Sequence, residues 1–517
     1  MKTIKSFALL RGSRGLFAAL CVLAVSVSAV AQQHTTKHII LFIGDGMQLM
    51  HEIAASRYLT GEDEKLSFHS FPHKACVATW DTSTYDAYAW WLNVPRYDEK
   101  SYDPLVGYNP QMGGKEPFPH DTSGSPAYFL TPLFPYGTTE GKPGVPATDS
   151  ASSGTAMATG HKTEDGRISW TAEPKEDGKL TTIAERMRAE KGAAIGVVST
   201  VPFNHATPAV FVAHNVSRGN VYTGKGGYEG LGIADEIIKE TKPDVVIGAG
   251  HPLWDNPDFN PKKGYLSKNL YDTLKSSTEY VFVERQAGVN GGEALAEGAK
   301  RAVAEKKKLF GLFGGALNCF DPAIPEDSPG APKVVPGSTE NPTLAQAALA
   351  AITVLQENES GFFLMCEQGD IDWANHIHHY SWMIGAVWDL SEAVKAVKEY
   401  IDKPGDSLDW DNTLLLVTAD HANSFMRLVP DKRLGKGDLP RQESVSAKEG
   451  EGSKGFSYPD GEVTYGVFGH TNELVSLYGM GADASLIDSY AGTEYPGTRI
   501  LNNTQIFKLM AESVGLK

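Results

Sequence analysis

The chain runs to 517 residues, enough for a large buried core, and its shares of apolar and charged side chains are those of an ordinary globular protein. Its formal net charge of −16 argues against nucleic-acid binding, where a basic surface supplies most of the affinity, but leaves room for small anionic substrates at a locally positive site. Beyond Cys21 the cysteines are Cys76, Cys319 and Cys366, an odd set that allows one disulfide at most and excludes a disulfide-stapled scaffold.

At the N-terminus Lys2, Lys5, Arg11 and Arg14 precede an uncharged apolar run, Leu16 to Ala31, that closes on Ala29-Val30-Ala31. A charged start, a short apolar core and a small-x-small exit mark a secretory signal peptide over residues 1–31. The run is shorter than the ~20 residues a membrane span needs, and no later segment is apolar enough for one. Cleavage removes four positive charges and no negative ones, taking the formal charge from −16 to −20. Residues 32–517 are then expected as a mature chain in the periplasm or outside the cell, with no membrane attachment.

Short apolar runs at His38–Ile43, Ala194–Ser199, Asp244–Ile247, Gly361–Met365 and Thr413–Thr418 read as buried parallel strands. Helical patterns lie between some of them: Leu180–Glu190 with Gly192 as a stop, Thr343–Gln356 behind Pro342, and His376–Tyr400. Strands alternating with helices predict an α/β fold with a central, mostly parallel sheet between helices. Residues 82–146, rich in Tyr, Trp, Pro and Gly with little helical period, and residues 424–466, charged and Gly-rich, read as insertions into that fold. The aromatics of the first insertion predict an ordered flap.

Ligands of open parallel sheets bind beyond the carboxyl ends of the strands. Three of the apolar runs deliver a carboxylate there: Asp45 in Gly44-Asp45-Gly46, Glu367 after Cys366, and Asp420 in Ala419-Asp420-His421. One Asp after a strand is commonly a helix cap; three, with His421 beside one, suit a cation. Asp372 and His376, four apart, share a helix face and could ligate one metal. His470 follows on a Gly-flanked turn. Mixed His and carboxylate donors suit Zn²⁺, and an all-oxygen set suits Mg²⁺. The run Ala147 to Ala158 holds Asp149 and Ser150 before small residues, predicting a closely packed helix whose positive end faces Ser150. Asp149 or Ser150 capping that helix is compatible with a role in phosphate chemistry.

The motifs Gly44-Asp45-Gly46-Met47, Thr148-Asp149-Ser150-Ala151, His205-Ala206-Thr207-Pro208-Ala209 with Arg218, Glu367…Asp372…His376, Thr418-Ala419-Asp420-His421 and Gly469-His470-Thr471 resemble the alkaline phosphatase family, in the family's order and across nearly the whole mature chain. The resemblance implies an α/β sandwich, one catalytic domain over residues 32–517, and a homodimer. It implies hydrolysis of phosphate monoesters through a phosphoserine at Ser150. It also implies two Zn²⁺ ions, one held by Asp372, His376 and His470 and one by Asp45, Asp420 and His421. A Mg²⁺ ion would sit on Asp45, Thr207 and Glu367. Arg218 resembles the arginine that grips phosphate, with Asp149 to orient it. His205, where some members carry Asp, is expected just outside the ligand set. Trp373 stands where some members carry Lys or His, so phosphate is expected to be held less tightly than in Lys-bearing members. The alternatives are a phosphodiesterase of the same superfamily and an inactive metal- or phosphate-binding protein. A sulfatase requires a Cys/Ser-x-Pro-x-Arg setting that Ser150 lacks.

Overall fold

The computed structural model describes residues 34–517 apart from 109–145, 174, 176, 222–231, 253–264, 404, 406 and 446–454. The expected signal peptide and much of the first insertion therefore lie outside the described residues. Ten strands form one sheet: β1 (His38–Gly44), β2 (His73–Ala78), β3 (Ala194–Pro202), β4 (Val245–Ala249), β5 (Tyr280–Glu284), β6 (Lys308–Leu312), β7 (Phe362–Gln368), β8 (Thr413–Thr418), β9 (Val475–Gly481) and β10 (Ile500–Asn502). Their order across the sheet is β10-β2-β9-β8-β1-β7-β3-β4-β6-β5. Only β9 runs against its neighbours, β8 and β2; every other pair is parallel. Strands β1, β3, β7 and β8 are buried along their whole length, which is why they read as unbroken apolar runs and not as alternating ones.

The helices that matter here are α1 (Leu49–Thr60), α2 (Thr82–Leu92), α3 (Ser150–Thr159), α4 (Ile183–Lys191), α5 (Gly291–Glu305), α6 (Leu344–Leu355), α7 (Asp370–His376), α8 (Tyr380–Ile401) and α9 (Asn503–Ser513). Two groups flank the sheet: α1, α8, α6 and α5 pack in succession, and α3, α4 and α9 pack together. Residues 34–517 form one compact unit. Among the described residues no helix is long and apolar enough to cross a membrane.

The sequence reading and the structure differ in two places that bear on the site. The single helix expected over His376–Tyr400 is broken: α7 ends at His376, His378 takes φ +58°, and α8 starts afresh at Tyr380 with the His379 side chain accepting from Trp382 N. Ring stacking holds the break, since His378 lies 3.8 Å from Phe468 and 4.4 Å from Tyr465, centroid to centroid. The second difference is α2, a helix within a segment expected to lack helical period. Its N-cap Asp81 accepts from Thr84 N at 2.7 Å, and aromatic side chains (Trp80, Tyr85, Tyr97, Tyr102) form a satellite core against it. Aromatic packing, not an amphipathic period, stabilises this segment, so periodicity alone misses it.

Candidate active site

Register brings the first carboxylates together. Ile43 of β1 lies opposite both Thr418 of β8 and Glu367 of β7, so the chain leaves the three strands at one edge and delivers Asp45, Glu367 and Asp420 side by side. Gly46 must turn the chain at this point: its φ is +70°, and an added Cβ would stand 2.9 Å from Asp372 Oδ1. Its N–H donates to Asp420 Oδ1 at 3.0 Å.

Asp45, Asp420 and His421 are fully buried, and their ligand atoms lie within 4.8 Å of one another. His421 Nε2 is 3.3 Å from Asp45 Oδ1 and 3.4 Å from Asp420 Oδ2. A second cluster joins Asp372, His421 and His470. His376 completes it from the next turn of α7, 3.2 Å from Asp372 Oδ2 and 3.2 Å from His470 Nε2. The third group joins Asp45 and Glu367 with His205, and the expected Thr207 stands beside it, its Oγ1 3.5 Å from Asp45 Oδ2. Residue 205 caps the single helical turn Ala206–Ala209, so its ring and the Thr207 hydroxyl reach the same carboxylate from one short segment.

Asp45 Oδ1, Glu367 Oε1 and Asp420 Oδ2 are buried without a hydrogen-bond partner. Unpartnered buried carboxylate oxygens are costly unless a cation meets them, so the donor set fits metal ions. The electrostatics agree. Burial, reinforced by Asp420, Asp372 and Glu367, holds the Asp45 carboxyl well above the usual carboxylate range. Burial likewise pushes Glu367 up to about 7 against the hydrogen bond it accepts from Ser199. Burial lowers His421 to about 4 and, with Arg218, lowers His205 to about 3, leaving both as neutral imidazoles fit to ligate.

Ser150 opens α3. Its Oγ stands 3.2 Å from His421 Nε2 and 3.4 Å from Asp45 Oδ2. Asp149 is the N-cap, with Oδ1 accepting from Ser152 N at 2.8 Å and Gly166 N at 3.1 Å. The other oxygen, Oδ2, accepts from Arg218 Nη1 at 2.7 Å. Burial alone would raise the Asp149 carboxyl; Arg218 and the two backbone donors outweigh it and hold the group well below the usual range. The second Arg218 amine faces His205 Nε2 at 3.3 Å. Trp373 meets the His205 ring edge-on at 5.8 Å, and Tyr265 meets it from elsewhere at 6.5 Å.

Several supporting side chains carry no motif. Asn423 Nδ2 donates to Asp372 Oδ1 at 2.5 Å, Ser199 Oγ to Glu367 Oε2 at 2.5 Å, and Ser153 Oγ to the Asp420 carbonyl at 2.5 Å. His378 Nε2 meets the Val467 carbonyl at 2.8 Å and so ties down the loop that carries His470. Ser199 ends an expected strand beside Glu367, a signal that could have found it; Asn423, His378 and Tyr265 meet the site only through tertiary contacts.

A mostly parallel sheet with a serine opening a helix and clustered carboxylates and histidines at its carboxyl edge defines an α/β protein with a candidate metal centre. The alkaline phosphatase family model matches residues 136–490, and the chain belongs to that family. It is 31% identical over 276 residues to Alkaline phosphatase 4 of Bacillus subtilis (strain 168), covering 53% of this chain and 49% of the relative. It is 32% identical over 323 residues to the alkaline phosphatase of Escherichia coli (strain K12), covering 57% and 61%. The matched stretch thus spans about half to three-fifths of these relatives' length. Solved structures share the fold. The alkaline phosphatase from the Antarctic bacterium TAB5 superposes with a TM-score of 0.53 at 18% identity, over 94% of this chain and 100% of its own. That of Thermus thermophilus gives 0.55 at 18%, over 94% and 92%. A TAB5 mutant has Mg bound in its M3 site.

Proposed function

We propose that the protein is an alkaline phosphatase that hydrolyses phosphate monoesters through a phosphoserine at Ser150. The observation that carries the reading is the placement of the Ser150 hydroxyl. It sits at the positive end of α3, 3.2 Å from His421 Nε2, while the neighbouring Asp149 holds Arg218.

In this reading Asp372, His376 and His470 hold one zinc ion, Asp45, Asp420 and His421 a second, and Asp45, Thr207 and Glu367 a magnesium ion. The approach of His205 to Asp45 and Glu367 supports a place for it at the third site. The ions, when bound, supply Lewis-acid neutralisation of the charge that builds on the phosphoryl oxygens. Arg218 binds the phosphate with its planar fork, kept in aim by Asp149. Ser150 Oγ attacks phosphorus in line with the ester oxygen, the alcohol leaves, and the phosphoryl group rests on the serine. Water then attacks the phosphoserine from the vacated side, and inorganic phosphate departs. The carboxylates orient these groups and the buried walls exclude bulk water. Binding is through the phosphate, which supports broad use of small monoesters and no nucleic-acid partner. Export behind the residue 1–31 signal and assembly as a homodimer belong to the same reading.

The test is hydrolysis of p-nitrophenyl phosphate at alkaline pH by the purified protein and by Ser150→Ala, beside bis-p-nitrophenyl phosphate and a metal assay. Fast monoester turnover that collapses in the variant, with bound zinc and weak diester turnover, is expected. Diester preference would make the protein a phosphodiesterase; zinc without turnover would make it a binding protein. N-terminal sequencing of secreted protein and sizing in solution test export and dimerisation.

A further inference from the structure

Asn503 opens α9, the C-terminal helix that packs on α3, and lies far in sequence from every candidate ligand. It is buried, as are Lys162, Ser153 and Asp420 around it. These four residues form one chain of hydrogen bonds. Lys162 Nζ donates to Asn503 Oδ1 at 2.6 Å and also to the Trp80 carbonyl. Asn503 Nδ2 donates to Ser153 Oγ at 2.9 Å, with a longer reach of 3.4 Å to the Thr79 carbonyl. Ser153 Oγ donates in turn to the Asp420 carbonyl at 2.5 Å.

The chain has a direction. Lys162 meets two carbonyl oxygens and donates to both, so the oxygen of the Asn503 amide faces it and the NH₂ is left for Ser153. A hydroxyl carries one proton, and with Asn503 donating to its oxygen Ser153 has that proton free for the Asp420 carbonyl. This carbonyl belongs to the peptide that joins Asp420 to His421, two proposed ligands of one zinc ion. The Asp420 side chain is fixed from its other side: Oδ1 accepts from Gly46 N at 3.0 Å and His421 N at 2.9 Å, while Oδ2 faces His421 Nε2. Ser153 lies three residues after Ser150 on α3, so the same bond ties the helix of the proposed nucleophile to these ligands. Buried polar networks with every member satisfied are rigid ones. We propose that Asn503 is a positioning residue for this site: by holding the Ser153 hydroxyl as a donor, it locks the Asp420–His421 peptide against the helix that carries Ser150. The inference rests on the zinc and phosphoserine reading given above.

Asn503→Asp tests it. The substitution is isosteric and keeps an acceptor for Lys162, but it loses the donor to Ser153. The Ser153 proton then turns to the new carboxylate, and the Asp420 carbonyl loses its partner. A role in stability alone predicts no harm, because Lys162 gains a charged acceptor. Ser153→Ala removes the same bond from its other end. Circular dichroism and urea midpoints check that each variant is folded. In a chelator competition one of the two zinc ions is expected to bind roughly tenfold or more weakly in each single variant, and no more weakly in the double variant. At saturating zinc, kcat for p-nitrophenyl phosphate is expected to fall by a similar factor while KM holds. Parental zinc affinity and kcat in Asn503→Asp, a loss that Ser153→Ala does not share, or additive losses in the double variant would overturn this inference alone. A parent protein that binds no zinc would overturn the proposed function and this inference together.

Discussion

Asp149 serves Arg218 and the helix behind Ser150 at once: Oδ2 takes the guanidinium at 2.7 Å while Oδ1 caps α3 at Ser152 N, 2.8 Å away. The residue before the proposed nucleophile therefore couples the direction of the helix to the aim of the arginine. Asp149→Ala is expected to lose about 1 kcal/mol of stability from the cap and to raise the inhibition constant for inorganic phosphate severalfold. Denaturant unfolding and phosphate inhibition measure the two effects separately. A variant that binds phosphate as well as the parent would show that Arg218 keeps its aim unaided.

Asn423 donates to the same Asp372 oxygen that faces His470. Losing it frees a proposed ligand carboxylate to rotate, and groups that orient ligands typically contribute about 10–100-fold in metal affinity. Asn423→Ala is expected to bind zinc that much more weakly in a chelator competition, with inorganic phosphate still bound by the zinc-saturated protein. Unchanged zinc affinity would leave Asn423 a packing residue.

Trp373 stands edge-on to His205 beside Arg218 and carries no charge. Trp373→Lys brings an ammonium to the same wall, and the inhibition constant for phosphate is expected to fall. A constant that stays level or rises would count against the wall facing bound phosphate.

His214 sits between Glu236 (Oε1, 2.9 Å) and Glu185 (Oε2, 3.4 Å), behind α4 and away from the clustered ligands. Burial alone would lower its pKa, but the two carboxylates raise it to about 9. A folded pKa above the unfolded value of about 6.5 means the stabilisation is complete below about pH 6.5 and is lost as pH rises through about 9. The contribution is on the order of 3 kcal/mol. In His214→Gln the fall in stability between about pH 6.5 and 9 should flatten, as read from urea midpoints across that range. An identical slope in both proteins would assign the pH dependence to other groups.

Residue type and order alone determined much of this protein. Short unbroken apolar runs, too brief for a buried helix, suit strands covered on both faces, so β1, β3, β7 and β8 were legible from hydropathy, and with them the carboxyl edge where Asp45, Glu367 and Asp420 emerge. Asp149 before a run of small residues announced a capped helix with Ser150 at its start. Tertiary structure decided the rest, because it depends on contacts between residues far apart in the chain. The break at 377–379 depends on His378 stacking with Phe468, and α2 on an aromatic cluster gathered from residues 80–102. His205 came within reach of the candidate ligands because its helical turn was carried over Asp45 and Glu367, which no spacing in the sequence records. Local pattern reports which backbone forms and which side chains are suited to metal; only packing sets which of them meet within one ion's reach.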